Sequence, residues 1–376
     1  MASGLSNSGL ARLEAALRGR IEAGHIPGAV GMILRDGRPV WHRAFGRRDP
    51  ATAAPMPEDA IFRIYSMTKP IVSVAAMTLW EEGRFLLSDP VARFIPEFAD
   101  VRLASGAAPA RPITVQDLLR HTSGLTYEFR GSGPVQAAYV AAHIARRNQT
   151  NADQAVALAG LPLLYPPGTH WEYSRSTDVP GRVVEVIAGE PLGAFLARRI
   201  LAPLGMTDAG FHVPPAALGR LAEAFPTDPD TGAPVALLEV REPPRFESGG
   251  GGMVASTADY GRFLAMLLGE GTLDGTRILG RKTLALMTAD HLGGLPAAED
   301  LLPPGHGFGL GFAVRLAPGL APFPGSVGSY FWGGLAGTTF WVDPAERLAA
   351  VLMIQAPGQR ETYRLLFRSL VYAALE

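Results

Sequence analysis

Apolar residues between Leu10 and Ala23 recur at helical spacing, and the stretch from Gly28 to Gly46 alternates apolar with polar positions around Asp36-Gly37. The first pattern predicts a helix and the second a β-hairpin closed by a tight turn. A short strand-like run, Ile61 to Ile64, precedes an almost wholly apolar helix from Ser66 to Glu82, with Pro70 in its first turn and Gly83 at its end. Further helical stretches follow at 114–120, 135–147, 151–158, 179–187, 192–201 and 257–268, separated by loops rich in Pro and Gly. From Gly307 the pattern changes to short alternating runs, Gly309 to Leu316, Ser326 to Trp332, Thr338 to Val342 and Leu348 to Met353. An amphipathic helix over Gln359 to Leu375 closes the chain.

A hairpin at one end and a meander at the other each offer too few strands to cover an apolar face alone. Their pairing into one antiparallel sheet is therefore expected. The predicted class is α+β, with an antiparallel sheet flanked by N- and C-terminal helices. A discontinuous α/β domain, residues 1–80 with 285–376, would carry a mostly helical insertion over 81–284, with the active site between them. No internal repeat or low-complexity linker is visible.

With 376 residues, 47% of them hydrophobic, the chain can bury a large core. The formal charge of −1 has no like-charge run able to track a phosphate backbone or an anionic membrane, which argues against nucleic acid as a partner. No apolar stretch reaches the length of a membrane span, and the first residues lack the basic and apolar regions of a signal peptide. The expectation is a non-secreted, cytoplasmic protein. The absence of cysteine excludes disulfides, thiol catalysis and thiolate metal sites. One bias changes the picture: the 34 basic residues include only two lysines, Lys69 and Lys282. Arginine does not surrender its proton, whereas a buried lysine can become neutral and act as a base.

Ser66-Met67-Thr68-Lys69 sets a hydroxyl and an amine three residues apart, neighbours on one helix face. A neutral lysine can take the serine's proton and make it a nucleophile, and the free N–H groups of a helix N-terminus can hold an oxyanion. A capping serine followed by a solvated lysine would give the same four letters. Keeping a lysine here, in a chain otherwise built with arginine, favours the chemical reading.

With Pro70 included, this segment resembles the first motif of the serine β-lactamases and penicillin-binding proteins. His121-Thr122-Ser123-Gly124-Leu125, Pro167-Gly168-Thr169 ahead of Trp171-Glu172-Tyr173-Ser174, and the run Ser248 to Met253 resemble further stretches of these hydrolases in the same order. The likeness runs from about Gly28 to the C-terminus. It implies a β-lactamase-like fold and a Tyr173 that relays protons together with Lys69, although a tyrosine beside Trp171 also suits plain packing. Arg175 stands where the family pattern has Asn, so that amide's role does not carry over. Arg175 is kept as a pocket candidate.

The family's third motif, Lys-Thr-Gly, is replaced by Trp332-Gly333-Gly334 followed by Leu335. An indole beside glycines makes an apolar wall open to close backbone approach, which suits neutral acyl groups better than a carboxylate. A strand Trp over the core with glycines at a bulge is the other reading. This version is similar to family VIII carboxylesterases and related acyltransferases, and the resemblance implies an oxyanion hole from the backbone N–H groups of Ser66 and Leu335.

Elsewhere the signals are structural. His121 reads as a histidine bonded to backbone, the eight histidines show no ligand spacing, and neither a metal nor a cofactor is called for. There is no Gly-x-Ser-x-Gly elbow, and Gly249 to Gly252 lacks the sequel of a phosphate loop. Tyr127 is a candidate pocket residue with Trp332, Gly333 and Gly334. The expected function is hydrolysis of small carboxylic esters through a Ser66 acyl-enzyme. Acyl transfer by the same intermediate, a β-lactamase or D-amino peptidase, and a silent ligand-binding module are the alternatives.

Overall fold

A computed structural model describes residues 4–297 and 301–376. Ser6 caps α1 (Asn7–Glu22) by accepting from the Gly9 N–H, and Leu13 and Leu17 form its buried stripe. The hairpin follows as β1 (Gly28–Arg35) and β2 (Arg38–Asp49), with Asp36 and Gly37 both left-handed at φ 52° and 73°, the conformation a twisted two-residue turn requires. Next come β3 (Ala54–Pro55), β4 (Ile61–Arg63) and the buried α2 (Thr68–Glu81), entered through a 3₁₀ turn at Tyr65–Met67.

The middle of the chain is helical. α3 (Val115–Leu119) and α5 (Asn151–Ala159) start at reciprocal capping boxes, Thr114 with Asp117 and Thr150 with Asp153. Between them α4 (Pro134–Ala141) stops short of the predicted 135–147, since His143 takes a left-handed φ of 48°. α6 (Asp178–Ala188) ends at left-handed Gly189, and α7 (Leu192–Leu196) runs through a wide turn into α8 (Ala202–Leu204). Phe98, Ile113, Leu118, Tyr139, Leu158 and Val183 give this region an apolar core of its own.

β5 (Val254–Ser256) pairs with β4, and Ser256 caps α9 (Thr257–Leu268). A small ladder of β6 (Thr272–Leu273) and β7 (Thr276–Arg277) leads to α10 (Arg281–Met287). The meander is β8 (His306–Phe308), β9 (Ala313–Arg315), β10 (Tyr330–Gly333), β11 (Thr339–Asp343) and β12 (Leu348–Met353), followed by α11 (Arg360–Tyr372). The run read as one strand over 309–316 is thus a turn feeding β9, with Gly311 at φ 100° and the Gly309 N–H bonded to Phe312 O.

The two ends of the chain do pair. The antiparallel eight-stranded sheet has the order β3-β2-β1-β12-β11-β10-β9-β8, with Val30 opposite Met353 and Arg35 opposite Leu348. β1 and β12 are buried almost throughout because both faces are covered. α1 and α11 pack on one face around Ile33, Trp41, Trp341 and Phe367. Val30, Met32, Leu34 and Val351 face the main core on the other, where α9 lies across β1, β11 and β12. α9 falls inside the stretch 81–284 assigned on sequence to the helical insertion, yet it serves as the sheet's second cover. Sequence proximity to other helices hid a partner strand some 90 residues away.

Candidate active site

β4 is held by β5 on one side, and the Ile64 N–H bonds Met253 O, so the chain enters the site on a fixed rail. Tyr65 then adopts φ 44°, a strained conformation for an aromatic residue, and its hydroxyl accepts from the Leu238 N–H at 2.7 Å. The bend delivers Ser66 to the pocket and sends Lys69 back along α2. Tyr260 donates to Met67 O at 3.0 Å and Thr68 Oγ1 accepts from Met253 N at 3.1 Å, which fixes the first turn.

Lys69 is 1% exposed, whereas the other lysine, Lys282 on α10, lies in solvent. The Lys69 Nζ stands 3.3 Å from Ser66 Oγ, 2.9 Å from Tyr127 Oη and 2.5 Å from Gly250 O. Three partners fill the three free positions of a tetrahedral nitrogen. In the neutral amine, two N–H groups serve the phenol and the carbonyl, leaving the lone pair toward the serine hydroxyl.

The sequence pairs Lys69 with the Tyr173 hydroxyl, and here the geometry differs. Tyr173 presents its ring face to the amine, 4.5 Å from Nζ to centroid, while its hydroxyl accepts from Trp332 Nε1 at 3.3 Å. Tyr127, read as a pocket residue, supplies the phenol that bonds the lysine. Burial first, then the neighbouring Tyr173 and Asp178, push the Tyr127 phenol well above its ordinary pKa and keep it protonated. His121 packs 5.0 Å from the Tyr173 ring, at a left-handed φ of 58°. Its Nδ1 accepts from the Ser174 N–H, the backbone bond expected of it, and burial together with the Lys69 charge holds it well below its ordinary pKa.

Behind the lysine lies the glycine run. The Asp178 carboxylate, buried at the start of α6, accepts from Gly250 N at 2.8 Å and Ser248 Oγ at 2.6 Å. Arg175 is almost fully buried beside it, bonded through Nε and Nη2 to Glu128 and lying over the Tyr127 ring at 4.9 Å. Burial opposes its charge, but Asp178, the Tyr127 phenol and Glu128 outweigh that and raise its pKa. Arg175 lines the cavity with its guanidinium already engaged. Sequence reading missed Glu128, Asp178 and the Gly250 carbonyl: no spacing rule links residues so far apart, and the glycine run was the one visible signal.

The wall opposite is β10. A Cβ on Gly334 would come 2.4 Å from Ile64 O and 2.2 Å from Thr338 Oγ1, so only glycine lets the strand end lie against the segment leading to Ser66. A turn, with Gly334 N bonded to Thr338 O and Gly337 N to Gly334 O, then turns Leu335 outward, 47% exposed. Neither the Ser66 nor the Leu335 N–H has an acceptor among the described residues. Arg364 of α11 donates to Gly334 O at 2.6 Å, a cation at this strand that the sequence did not reveal. The cavity of about 520 Å³ is lined by Ser66, Tyr127, Tyr173, Phe246, Phe331 and Trp332, among others, with Phe129 exposed at its mouth. Among the described residues no cluster could hold a metal, and no helix is long and apolar enough to cross a membrane.

Known proteins resemble this chain in sequence and fold. The sequence profile of the family described as Beta-lactamase matches residues 13–373. Esterase EstB of Burkholderia gladioli is 34% identical over 384 residues, spanning 96% of this chain and 95% of that protein. The solved structure of EstCE1, described as a hydrolase with promiscuous acyltransferase activity, superposes with a TM-score of 0.83 at 30% identity, covering 97% of this chain and 98% of that one. Simvastatin synthase LovD of Aspergillus terreus superposes with a TM-score of 0.81 at 25% identity over 98% and 99% of the two chains.

Proposed function

Since the chain belongs to the beta-lactamase family and is a serine hydrolase, we propose that it cleaves small carboxylic esters through an acyl-enzyme on Ser66. One observation carries the reading: the buried Lys69 amine, with two of its positions occupied by Tyr127 and Gly250, has its third directed to Ser66 Oγ. As Oγ attacks the ester carbonyl carbon, its proton passes to Nζ. The carbonyl oxygen becomes an oxyanion, for which the unpaired Ser66 and Leu335 N–H groups are the donors. Collapse breaks the bond to the alkoxy oxygen, which takes a proton from the Tyr173 hydroxyl; the phenolate so formed faces Trp332 Nε1–H and has the Lys69 ammonium over its ring, and the proton taken from Ser66 restores the phenol before deacylation. Water then repeats the sequence in reverse and releases the acid. Trp332, Gly333, Gly334 and Tyr127 shape the acyl side.

The exposed Phe129 and Leu335 at the mouth favour a second use of the same intermediate, transfer of the acyl group to an apolar alcohol. EstCE1 and EstB divide along this line by their descriptions. A short-chain nitrophenyl ester should give a burst and then turnover, both absent in Ser66→Ala, with a phosphonate adduct located on Ser66 by mass spectrometry. Turnover that survives in the serine variant would end the proposal. Added alcohol that yields a new ester at the expense of free acid would establish the transfer reading.

A further inference from the structure

We propose that Arg175 and Asp178 are positioning residues that set the protonation of Lys69: Asp178 fixes the Gly250 carbonyl to which the amine donates, and Arg175 offsets the carboxylates behind it. The inference rests on the reading of Lys69 as the base for Ser66. It accounts for two features that reading leaves idle, the glycine run 249–252 and the arginine two residues after Tyr173.

Asp178 Oδ1 receives the Gly250 N–H and the Ser248 hydroxyl, and Oδ2 faces Arg175 Nη1 at 3.6 Å and Gln154 Nε2 at 3.5 Å. A Cβ on Gly250 would stand 3.1 Å from both carboxylate oxygens, and one on Gly249 would stand 2.7 Å from Thr177 O. The loop therefore lies flat on the first turn of α6, and its glycines are what let it do so. With its N–H tied to Asp178, Gly250 holds its carbonyl toward Lys69. Arg175 steadies the other acceptor by covering the Tyr127 ring. Both groups that orient the amine toward Ser66 thus depend on this pair.

Charge gives the pair its second role. Glu128 and Asp178 are two carboxylates and Arg175 is one guanidinium, so a single net negative charge stands behind the lysine. Without Arg175 it would be two, and a field of that sign favours the ammonium over the amine. The groups around Nζ are Ser66 on its own segment, His121, Tyr127 and Glu128 on the segment before α4, and Tyr173, Arg175 and Asp178 leading into α6. Arg130, which pairs with Glu172, and Arg364 also line the cavity.

The test is the pH profile of kcat/KM for a nitrophenyl ester, with burst amplitude and melting temperature, in wild type, Arg175→Gln, Arg175→Lys, Asp178→Asn and Glu128→Gln. Arg175→Gln should move the acid limb up by about one pH unit, the size expected of one nearby charge in a partly screened interior. Arg175→Lys should leave the limb in place, and Asp178→Asn and Glu128→Gln should move it down. A merely structural role would lower the plateau and leave the limb where it is. Limbs coincident with wild type in Arg175→Gln and Glu128→Gln overturn the proposal. Glu128 is the most solvent-accessible of the three, so its variant decides the matter if the buried ones fail to fold. A wild-type protein without a Ser66-dependent burst would instead sink the esterase reading, before any variant is compared.

Discussion

The Tyr127 hydroxyl lies 2.9 Å from the Lys69 amine, whereas Tyr173 turns its ring to that amine and its hydroxyl to Trp332. Two phenols flank one lysine, and the proposed acid is the second, whose hydroxyl is not engaged with the amine. Tyr173→Phe should therefore lower kcat by about 10²–10⁴-fold, the usual worth of a general acid. Tyr127→Phe, which removes one hydrogen bond to the amine, should cost about 10–100-fold in kcat/KM. Steady-state kinetics on one ester decides the order, and a larger loss at Tyr127 would make it the relay.

Lys69→Arg separates charge from basicity. The guanidinium keeps the positive charge but stays protonated, so acylation of Ser66 should slow by at least about 10³-fold, read as loss of the burst under single-turnover conditions. A burst retained in this variant would mean that the site needs only a cation.

His121 makes stability depend on pH. Burial and the nearby Lys69 charge hold its folded pKa well below the ordinary 6.5, so on acidification below that value the unfolded chain takes up a proton that the folded protein refuses. Its contribution is intact above pH 6.5 and is lost as pH falls toward the folded value. His42, His291 and His306, also lowered by burial, act in the same direction. His121→Asn, which tolerates the left-handed backbone, should flatten the fall in Tm between pH 6.5 and about 5 without abolishing it. An unchanged slope would show that His121 does not titrate on unfolding.

Gly334→Ala should be costly. Its methyl group would overlap Ile64 O and Thr338 Oγ1, so the strand end must withdraw from Ser66, with a loss of about 1–3 kcal/mol in denaturant unfolding and of the acylation burst. Gly251→Ala is the control for stability, because its methyl group would meet nothing nearer than 3.6 Å. Equal melting temperatures for the two variants would refute this account of the strand.

Much of the fold was legible because it is written in local periodicity. The helix after Ser6, the hairpin at Asp36-Gly37 and the strands from Tyr330 to Met353 follow from spacing and turn residues, and the need to cover sheet faces joins the two ends. Boundaries failed where one residue takes an unusual backbone angle, as at His143 and Gly311, since composition does not announce it. In the site, Ser66 and Lys69 were visible as neighbours three residues apart, although the structure puts Ser66 in the 3₁₀ turn ahead of α2 and not in the helix itself. Tyr127, Asp178 and Gly250 were not assigned their roles, because a hydrogen bond from Lys69 to a carbonyl 181 residues away leaves no periodic trace. Arg364 reaches Gly334 from a helix whose amphipathic pattern reveals only its apolar side.

The contrast between a sealed Lys69 and an open Lys282 has a practical side. Reagents that couple to primary amines would find a single side chain to attack, on α10, in addition to the chain's amino terminus. Dyes or tethers that couple to a lysine side chain would then sit outside the cavity wall, while the amine beside Ser66 goes untouched.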